Sequence, residues 1–364
     1  MVAMSGGVDS SVAALLAMRM GYDCTGVTMK LFEEDGGGAA RVAASLGIPH
    51  IMIDFTNEFR ENVIEPFVSS YEVGATPNPC VDCNIRLKFG LLFDYARDRG
   101  FDKLITGHYA KIVQDAEGSS GGLGGVRHYR LCRAADTDKD QSYFLYGIEP
   151  EKLVHIEFPL GGLTKNETRA FAAEAGFENA DAKESQDICF VGEGGHAGFI
   201  ESFRGMPPAP GNFVDTSGRV LGRHGGIVRY TIGQRKGLGY AAGRPVFVKE
   251  IRPETDEVVL ADEEEIFASR IEITDVRWQS CGSPWRGCGF PAEPGAPDAP
   301  DASTVPFRAE IMIRYNARPV WAAVSPLPGG NLLAVFDEPV RAPAGGQSAV
   351  LYDGDLVVGG GRIV

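Results

Sequence analysis

Two hydrophobic periods divide this chain. Over its first third, apolar stretches of strand length alternate with helical ones. Residues 12–18, Val-Ala-Ala-Leu-Leu-Ala-Met, form a run of strong helix formers that Gly21 stops. Residues 25–31 and 50–55 are short, β-branched and apolar, and read as strands. Residues 39–46 predict a short helix before Gly47-Ile48-Pro49. Residues 56–71 predict a longer one, with Phe59, Val63, Phe67 and Tyr71 spaced by four and Pro66 as a point of kinking. Residues 84–97 predict a further helix and 104–106 a strand ending at Gly107-His108. Strands alternating with helices mean a parallel, doubly wound sheet, whose ligands bind at the carboxyl ends of the strands. Residues 118–125 read as a hairpin tip, with 129–132 as its returning strand. Residues 165–175 read as a helix capped by Thr164 with Glu167 three positions on. After Pro207-Pro208-Ala209-Pro210 the pattern becomes short strands and turns. Residues 220–221, 227–231, 246–251, 258–260, 271–278, 307–315, 320–324, 332–336 and 349–352 predict an all-β region with room for two small barrels, and 282–303 a long loop.

The start of the chain carries the first chemistry. Met4-Ser5-Gly6-Gly7-Val8-Asp9-Ser10-Ser11 lies between a strand tail and the first helix. Gly6 and Gly7 lack Cβ, so backbone N–H groups can approach an anion. Asp9 and Ser10 are placed to cap the helix, whose N-terminus favours negative charge by roughly 0.3–1 kcal/mol. No Lys-Ser/Thr follows the last glycine, which excludes a Walker A loop. A plain linking turn is the bland alternative. The stretch resembles the Ser-Gly-Gly-x-Asp-Ser loop of the ATP pyrophosphatase superfamily. Its members cut ATP between the α and β phosphates and adenylate a carbonyl oxygen.

Composition adds bounds. The 364 residues suggest two or three domains, and no apolar run approaches the ~20 residues of a membrane span. No signal sequence is evident, and seven cysteines then imply reduced thiols in the cytoplasm. The net charge of −14 argues against nucleic acid. However, residues 216–249 contain no acid and hold Arg219, Arg223, Arg229, Arg235, Lys236, Arg244 and Lys249, a patch suited to phosphates or simply a solvated basic face.

Two cysteine sites stand out. Cys80-Val81-Asp82-Cys83 follows a rigid Pro77-Asn78-Pro79 turn, and Cys83-Asn84 is expected at the start of the 84–97 helix, where the dipole would lower the thiol pKa. Cys189 is expected in a short apolar strand, Ile188-Cys189-Phe190-Val191. Several readings suit Cys80 and Cys83: a redox dithiol, half a zinc site, a cluster with Cys189 as third ligand, a catalytic thiol working with Cys189, or a structural buried pair. Pro79 and the lack of a thioredoxin-like unit weigh against the first. The absence of a second pair at ligand spacing weighs against the second, because Cys281 and Cys288 fall in a different domain.

Eight segments in order resemble the tRNA-specific 2-thiouridylases over almost the full length. They are Ala3 through Ser11, Gly74-Ala75-Thr76-Pro77-Asn78-Pro79 with Cys83-Asn84, Thr106-Gly107-His108-Tyr109, Lys139-Asp140-Gln141-Ser142-Tyr143-Phe144-Leu145, Asp187-Ile188-Cys189-Phe190, 230–239, Ile313-Arg314-Tyr315 and Gly346-Gln347-Ser348-Ala349. The resemblance implies a doubly wound parallel sheet at 1–206 (the ATP pyrophosphatase domain), a central β-rich domain at 207–266 and a C-terminal β-barrel at 267–364 that binds tRNA.

It also implies a reaction. The C2 oxygen of the wobble uridine is adenylated by ATP with Mg²⁺, then replaced by sulfur from a persulfide on Cys189. Cys83 is the nucleophile that resolves it through a transient disulfide. Ala3, Met4, Ser5, Gly6, Gly7, Val8, Asp9, Ser10, Met29 and Gly107 would bind ATP. Asn78, Pro79 and Cys80 would touch the target base. His108, Lys139, Asp140, Gln141, Arg314, Tyr315 and Gln347 would contact tRNA. The partners are the tRNA anticodon arm, with the base flipped out of its stack, and a sulfur-donor protein such as a cysteine desulfurase or a sulfur-relay carrier.

Three features depart from the family pattern. Cys80 stands where some members carry Asp, which leaves an acid/base role vacant or makes Cys80 an iron–sulfur ligand with Cys83 and Cys189. The first strand is short. Residues 31–40 are abbreviated and Gly-rich, suggesting a lid. Two other functions share parts of this signature: another adenylating synthetase or amidotransferase, and a tRNA-binding relic. Neither needs Cys83 and Cys189 together with the whole loop.

Overall fold

The computed structural model describes residues 1–32, 37–114, 129–180, 188–279 and 306–364. The expected hairpin tip at 118–125, the loop at 282–303, Cys281, Cys288, Asp187 and part of the expected lid lie outside them.

Strand β1 (Val2–Ala3), helix α1 (Val8–Arg19), β2 (Gly26–Lys30), α2 (Gly38–Leu46) and β3 (His50–Asp54) follow the sequence pattern closely. The next helical stretch is α3 (Thr56–Phe59), wider i→i+5 turns at Arg60–Ile64, and α4 (Glu65–Glu72). Pro66 has no N–H to return to the preceding turn, so the helix widens ahead of it instead of breaking. A second composite helix is built from α5 (Pro79–Asp82), i→i+5 turns over Cys83–Leu91 and α6 (Leu92–Asp98). Then come β4 (Leu104–Ile105), the hairpin β5 (Lys111–Gln114) and β6 (Tyr129–Cys132), β7 (Ile156–Glu157), α7 (Lys165–Glu174) and α8 (Gly195–Arg204). Helix α7 carries both halves of the expected capping box between Thr164 and Glu167.

The first sheet runs β3-β2-β1-β4-β7 and its pairings are all parallel. Val12, Ala13, Ala17, Val42 and Ala172 pack one face, and Phe59, Val63, Leu87, Phe89 and Leu92 the other. From β1 the order runs outward in both directions, so the switch point lies where the turns after β1 and β4 leave the sheet.

The central unit holds β8 (Gly211–Val214), β9 (Val220–His224), β10 (Phe247–Arg252) and β11 (Glu257–Ala261) in the order β10-β11-β8-β9. Its core of Phe213, Val248, Val258 and Leu260 is shared with Phe67 and Tyr71 of α4 and Ile200 of α8. The strand expected at 227–231 is instead a short turn, Ile227–Arg229, because Gly226 (φ 121°) reverses the chain and drops Ile227 and Val228 into this core.

Strands β12 (Phe267–Trp278), β13 (Phe307–Met312), β14 (Val320–Pro326), β15 (Leu332–Arg341), β16 (Ser348–Asp353) and β17 (Leu356–Ile363) form the last unit. β12 pairs with both β15 and β17, which closes a six-stranded barrel. β17 also accepts β6 through Leu356 and Cys132, so the hairpin from the first unit extends the barrel sheet. Among the described residues no helix is long and apolar enough to cross a membrane.

Candidate active site

The turn after β1 lies at the switch point. Gly6 adopts φ +79°, and a Cβ there would press on the backbone of Gly38 and Ala39. Gly7, not Asp9 or Ser10, is the N-cap of α1, and it offers no side-chain cap. Ser10 instead folds back: its Oγ accepts the Ser5 N–H at 3.2 Å and donates to the Gly7 carbonyl at 3.0 Å. The first N–H groups of α1 therefore keep no side-chain acceptor, and they point with the positive end of the helix dipole at the mouth of the loop. Asp9 turns away to the Lys165 ammonium, at 2.7 and 2.9 Å, and lies 3.0 Å from the Tyr109 hydroxyl. Asn179 ties the loop from outside, donating to the Gly6 carbonyl at 2.7 Å and to Ser11 Oγ at 3.1 Å. Lys165 and Asn179 escape a motif reading because each belongs to a different, remote part of the chain, whereas Tyr109 closes the Thr106–Tyr109 segment.

The turn after β4 closes on the same loop. A Cβ at Gly107 would sit 2.7–2.8 Å from the Asp9 carbonyl carbon, the Asp9 oxygen and Ser10 N, so glycine is required for the two turns to meet. The next residue, His108, leads away from the loop. Its Nδ1 is 2.7 Å from Thr106 Oγ1 and its Nε2 is 3.4 Å from Lys88 Nζ. An ammonium only donates, so Nε2 is the acceptor and Nδ1 carries the proton. Burial, with Lys88 adding to it, holds the imidazole well below its usual pKa, which keeps it neutral.

Beyond Lys88 lie the thiols. Cys83 was expected at a helix N-terminus, but the helix begins four residues earlier, at Pro79. Cys83 is therefore in the second turn and buried, and burial raises its pKa where a helix dipole was expected to lower it. Cys189 is in a turn, not a strand: the Val191 N–H returns to the Ile188 carbonyl at 2.9 Å. The apolar run there half-buries Phe190, whose ring meets Phe59, Phe67 and Phe199 at 5.7, 5.1 and 5.0 Å and anchors the turn. Burial pushes the Cys189 thiol up to about 11, with Cys83 and Cys80 adding to it. Cys80 is exposed to solvent, yet desolvation still raises its pKa. Both features fit a thiol lining a cleft. Cys83 and Cys189, 106 positions apart in sequence, thus lie within electrostatic reach of each other. Among the described residues no group of three or more His, Cys, Asp or Glu is arranged to hold a metal ion, so the three thiols do not form a ligand set in this conformation.

The chain covers the full architecture of known relatives. A profile for the tRNA methyl transferase HUP domain matches residues 1–193, one for the tRNA methyl transferase PRC-barrel domain 198–262, and one for the aminomethyltransferase beta-barrel domain 297–363. The tRNA-specific 2-thiouridylase MnmA of Clostridium perfringens is 42% identical over 377 residues, spanning 100% of this chain and 97% of the relative. The Chloroflexus aggregans protein of the same name is 41% identical over 377 residues, with the same coverage of 100% and 97%. The chain belongs to the tRNA-specific 2-thiouridylase family. A solved NMN synthetase from Francisella tularensis aligns over 57% of this chain and 77% of its own length at 18% identity and TM-score 0.31, too distant to bear on the fold.

The remaining residues implied by the 2-thiouridylase resemblance fall into two groups. Ala3 and Met29 are half-buried at the edge of the core beside β1 and β2. Met4 and Val8 are buried under the loop. Asn78 and Pro79 open α5 next to Cys80, and Gln347 supports them from the barrel: its amide donates to the carbonyls of Thr76 at 3.1 Å and Pro77 at 3.4 Å. The Thr76 N–H in turn donates to the Gly345 carbonyl at 2.7 Å. The Tyr315 ring lies tilted against Phe144, centroids 4.4 Å apart, with Arg314 exposed beside it. Asp140 is buried, and its carboxylate accepts from Ala134 N, Ser142 N and Ser142 Oγ at 2.9, 3.2 and 2.7 Å, which shapes the turn that displays Lys139 and Gln141. Gln141 Oε1 accepts the Tyr109 N–H at 3.0 Å. The expected basic segment is partly neutralised: Arg219 pairs with Asp215, Arg229 with Glu201, Arg244 with Asp262 and Lys249 with Glu265.

Proposed function

We propose that this chain catalyses ATP-dependent 2-thiolation of the wobble uridine of tRNA in the cytoplasm. One observation carries the reading. The anion-binding turn after β1, through Gly107, His108 and Lys88, adjoins a cleft where Cys83 and Cys189 come within electrostatic reach.

The C2 oxygen of uracil is a poor leaving group, and adenylation converts it to a phosphate ester. The N–H groups of the Ser5–Ser10 turn suit the departing pyrophosphate, and Mg²⁺ bound with ATP would neutralise charge on the phosphates. A donor protein loads sulfur on Cys189, whose exposed turn suits delivery from outside. The persulfide sulfur attacks C2 and AMP leaves with the oxygen. Cys83 then attacks Cys189 Sγ. A Cys83–Cys189 bond forms, the bond to the transferred sulfur breaks, and that sulfur keeps the electron pair. Asn78, Pro79 and Cys80 would face the flipped base, with Arg314, Tyr315 and Gln347 on the barrel side of the tRNA arm. A cluster-dependent version of the reaction is not favoured by the arrangement of the three thiols.

The test is mass spectrometry of nucleosides from tRNA incubated with ATP, Mg²⁺ and a sulfide source. Wild type should yield 2-thiouridine, and Cys83→Ser and Cys189→Ser should yield none. Absence of product with wild type, alongside ATP–pyrophosphate exchange dependent on another acceptor, would overturn the reading.

A further inference from the structure

Lys88 has no role in the scheme above, yet it occupies its centre. Between Cys83 and Leu91 the helix winds in i→i+5 turns. In an α-helix of 3.6 residues per turn, residue 88 would be rotated by about 140° from residue 83. The wider winding swings it back towards the face that carries Cys83. Gly90 permits this winding, because a Cβ there would stand 2.9 Å from the Ile85 carbonyl oxygen. The Lys88 ammonium is then seated by His108 Nε2 at 3.4 Å, on the residue that follows the ATP-loop contact at Gly107. Such wide turns occur mostly as single insertions at functional sites, and here the turn sets the direction of one cation.

Among the described residues the charged and titratable groups around Cys83 are few. On its own helix stand Lys88, Cys80, Asp82 and Arg86, the last exposed and acting on Asp82. The turn after β4 brings His108, which is neutral, and the Cys189 turn brings a thiol. Asp82 opposes a negative charge on Cys83 and is itself engaged by Arg362 of the barrel. Of the two cations, Lys88 is the one whose charge acts on Cys83, and it also reaches Cys80 and Cys189. The helix dipole expected to activate Cys83 acts four residues away, at Pro79.

We infer that Lys88 is a positioning residue of the sulfur-transfer cleft, its ammonium held by His108 so as to carry the negative charge of the attacking sulfur on Cys83. This rests on the 2-thiolation reading for its purpose, though not for its test.

The experiment follows alkylation of Cys83 by iodoacetamide from acid to alkaline pH in the full-length chain, located by peptide mass spectrometry. Lys88→Met should move the midpoint up by about one unit or more, leaving about tenfold less thiolate at neutral pH. Lys88→Arg, which keeps the charge, should restore most of it. Single-turnover 2-thiouridine formation by Lys88→Met should fall in parallel at neutral pH and recover as pH rises. Superimposable alkylation profiles for wild type and Lys88→Met, with unchanged melting curves, would overturn the inference. So would a loss of turnover that raising the pH leaves uncorrected. If wild type makes no 2-thiouridine, the functional reading fails, while the alkylation comparison still decides the role of Lys88.

Discussion

Asp82, between Cys80 and Cys83 of the helix that starts at Pro79, is clasped by Arg362 from barrel strand β17, 280 positions later in the chain. The carboxylate is buried and the guanidinium half-open. Burial raises the Asp82 pKa more than Arg362, Arg86 and Arg277 draw it down. A carboxyl whose folded pKa lies above its unfolded value contributes stability below the unfolded value and loses it as pH rises through the folded one. The pair thus fixes geometry at a cost in stability.

Removing one partner should therefore be worse than removing both. Arg362→Met leaves a buried, unpaired carboxylate and should destabilise by about 3 kcal/mol. Asp82→Leu combined with Arg362→Met should melt at or above the wild-type temperature, while 2-thiouridine formation falls because the cysteine helix has lost its brace. Calorimetry of the three proteins, together with the nucleoside assay, measures both effects.

Gly107→Ala tests the contact between the two turns. The new methyl meets the backbone of Asp9 and Ser10 at 2.7–2.8 Å, where no flexible side chain can yield. The loop must shift, and the near-attack geometry for adenylation with it. ATP affinity by calorimetric titration should fall by about tenfold or more, equivalent to about 1.4 kcal/mol, with the melting temperature little changed. Unchanged ATP binding would mean that the loop tolerates the displacement.

The Cys189 thiol, pushed up to about 11 by burial and its neighbouring thiols, should be almost wholly protonated at neutral pH. Its alkylation should climb with pH towards that value. Its contribution to stability is present below the unfolded thiol value near 9 and is lost as pH rises from there to about 11. Cys83→Ser removes one adjoining thiol and should move the Cys189 midpoint down. A midpoint near 9, the value of the unfolded thiol, would show that the turn is more open than its packing on Phe190 implies.

How far the sequence disclosed this arrangement depended on the range of the interactions involved. The parallel sheet, the glycine turn between β1 and α1 and the capping box at Thr164 are local patterns, and each stands where its pattern places it. Cys83 was misjudged because Pro79 begins the helix one turn early and the cleft buries the thiol, neither of which shows in a two-residue motif. Strand β17 escaped notice because Gly359-Gly360-Gly361 reads as a breaker. A Cβ at Gly361 would run into the Thr274 carbonyl across the barrel seam, so glycine marks closure there. Lys165, Asn179 and Lys88 belong to no motif, and the fold alone brings them to Asp9, the Gly6 carbonyl and His108.

The braces of the cysteine loop come late in synthesis. The Gly345 carbonyl, the Gln347 amide and the Ser348 carbonyl that holds the Tyr143 hydroxyl all lie in or beside β16, and β6 waits for Leu356 of β17. A nascent chain that has emerged only through the parallel sheet owns both thiols and a nucleotide turn, yet lacks the parts that aim them. The aim of the thiols is thus set only once β16 and β17 have joined the barrel.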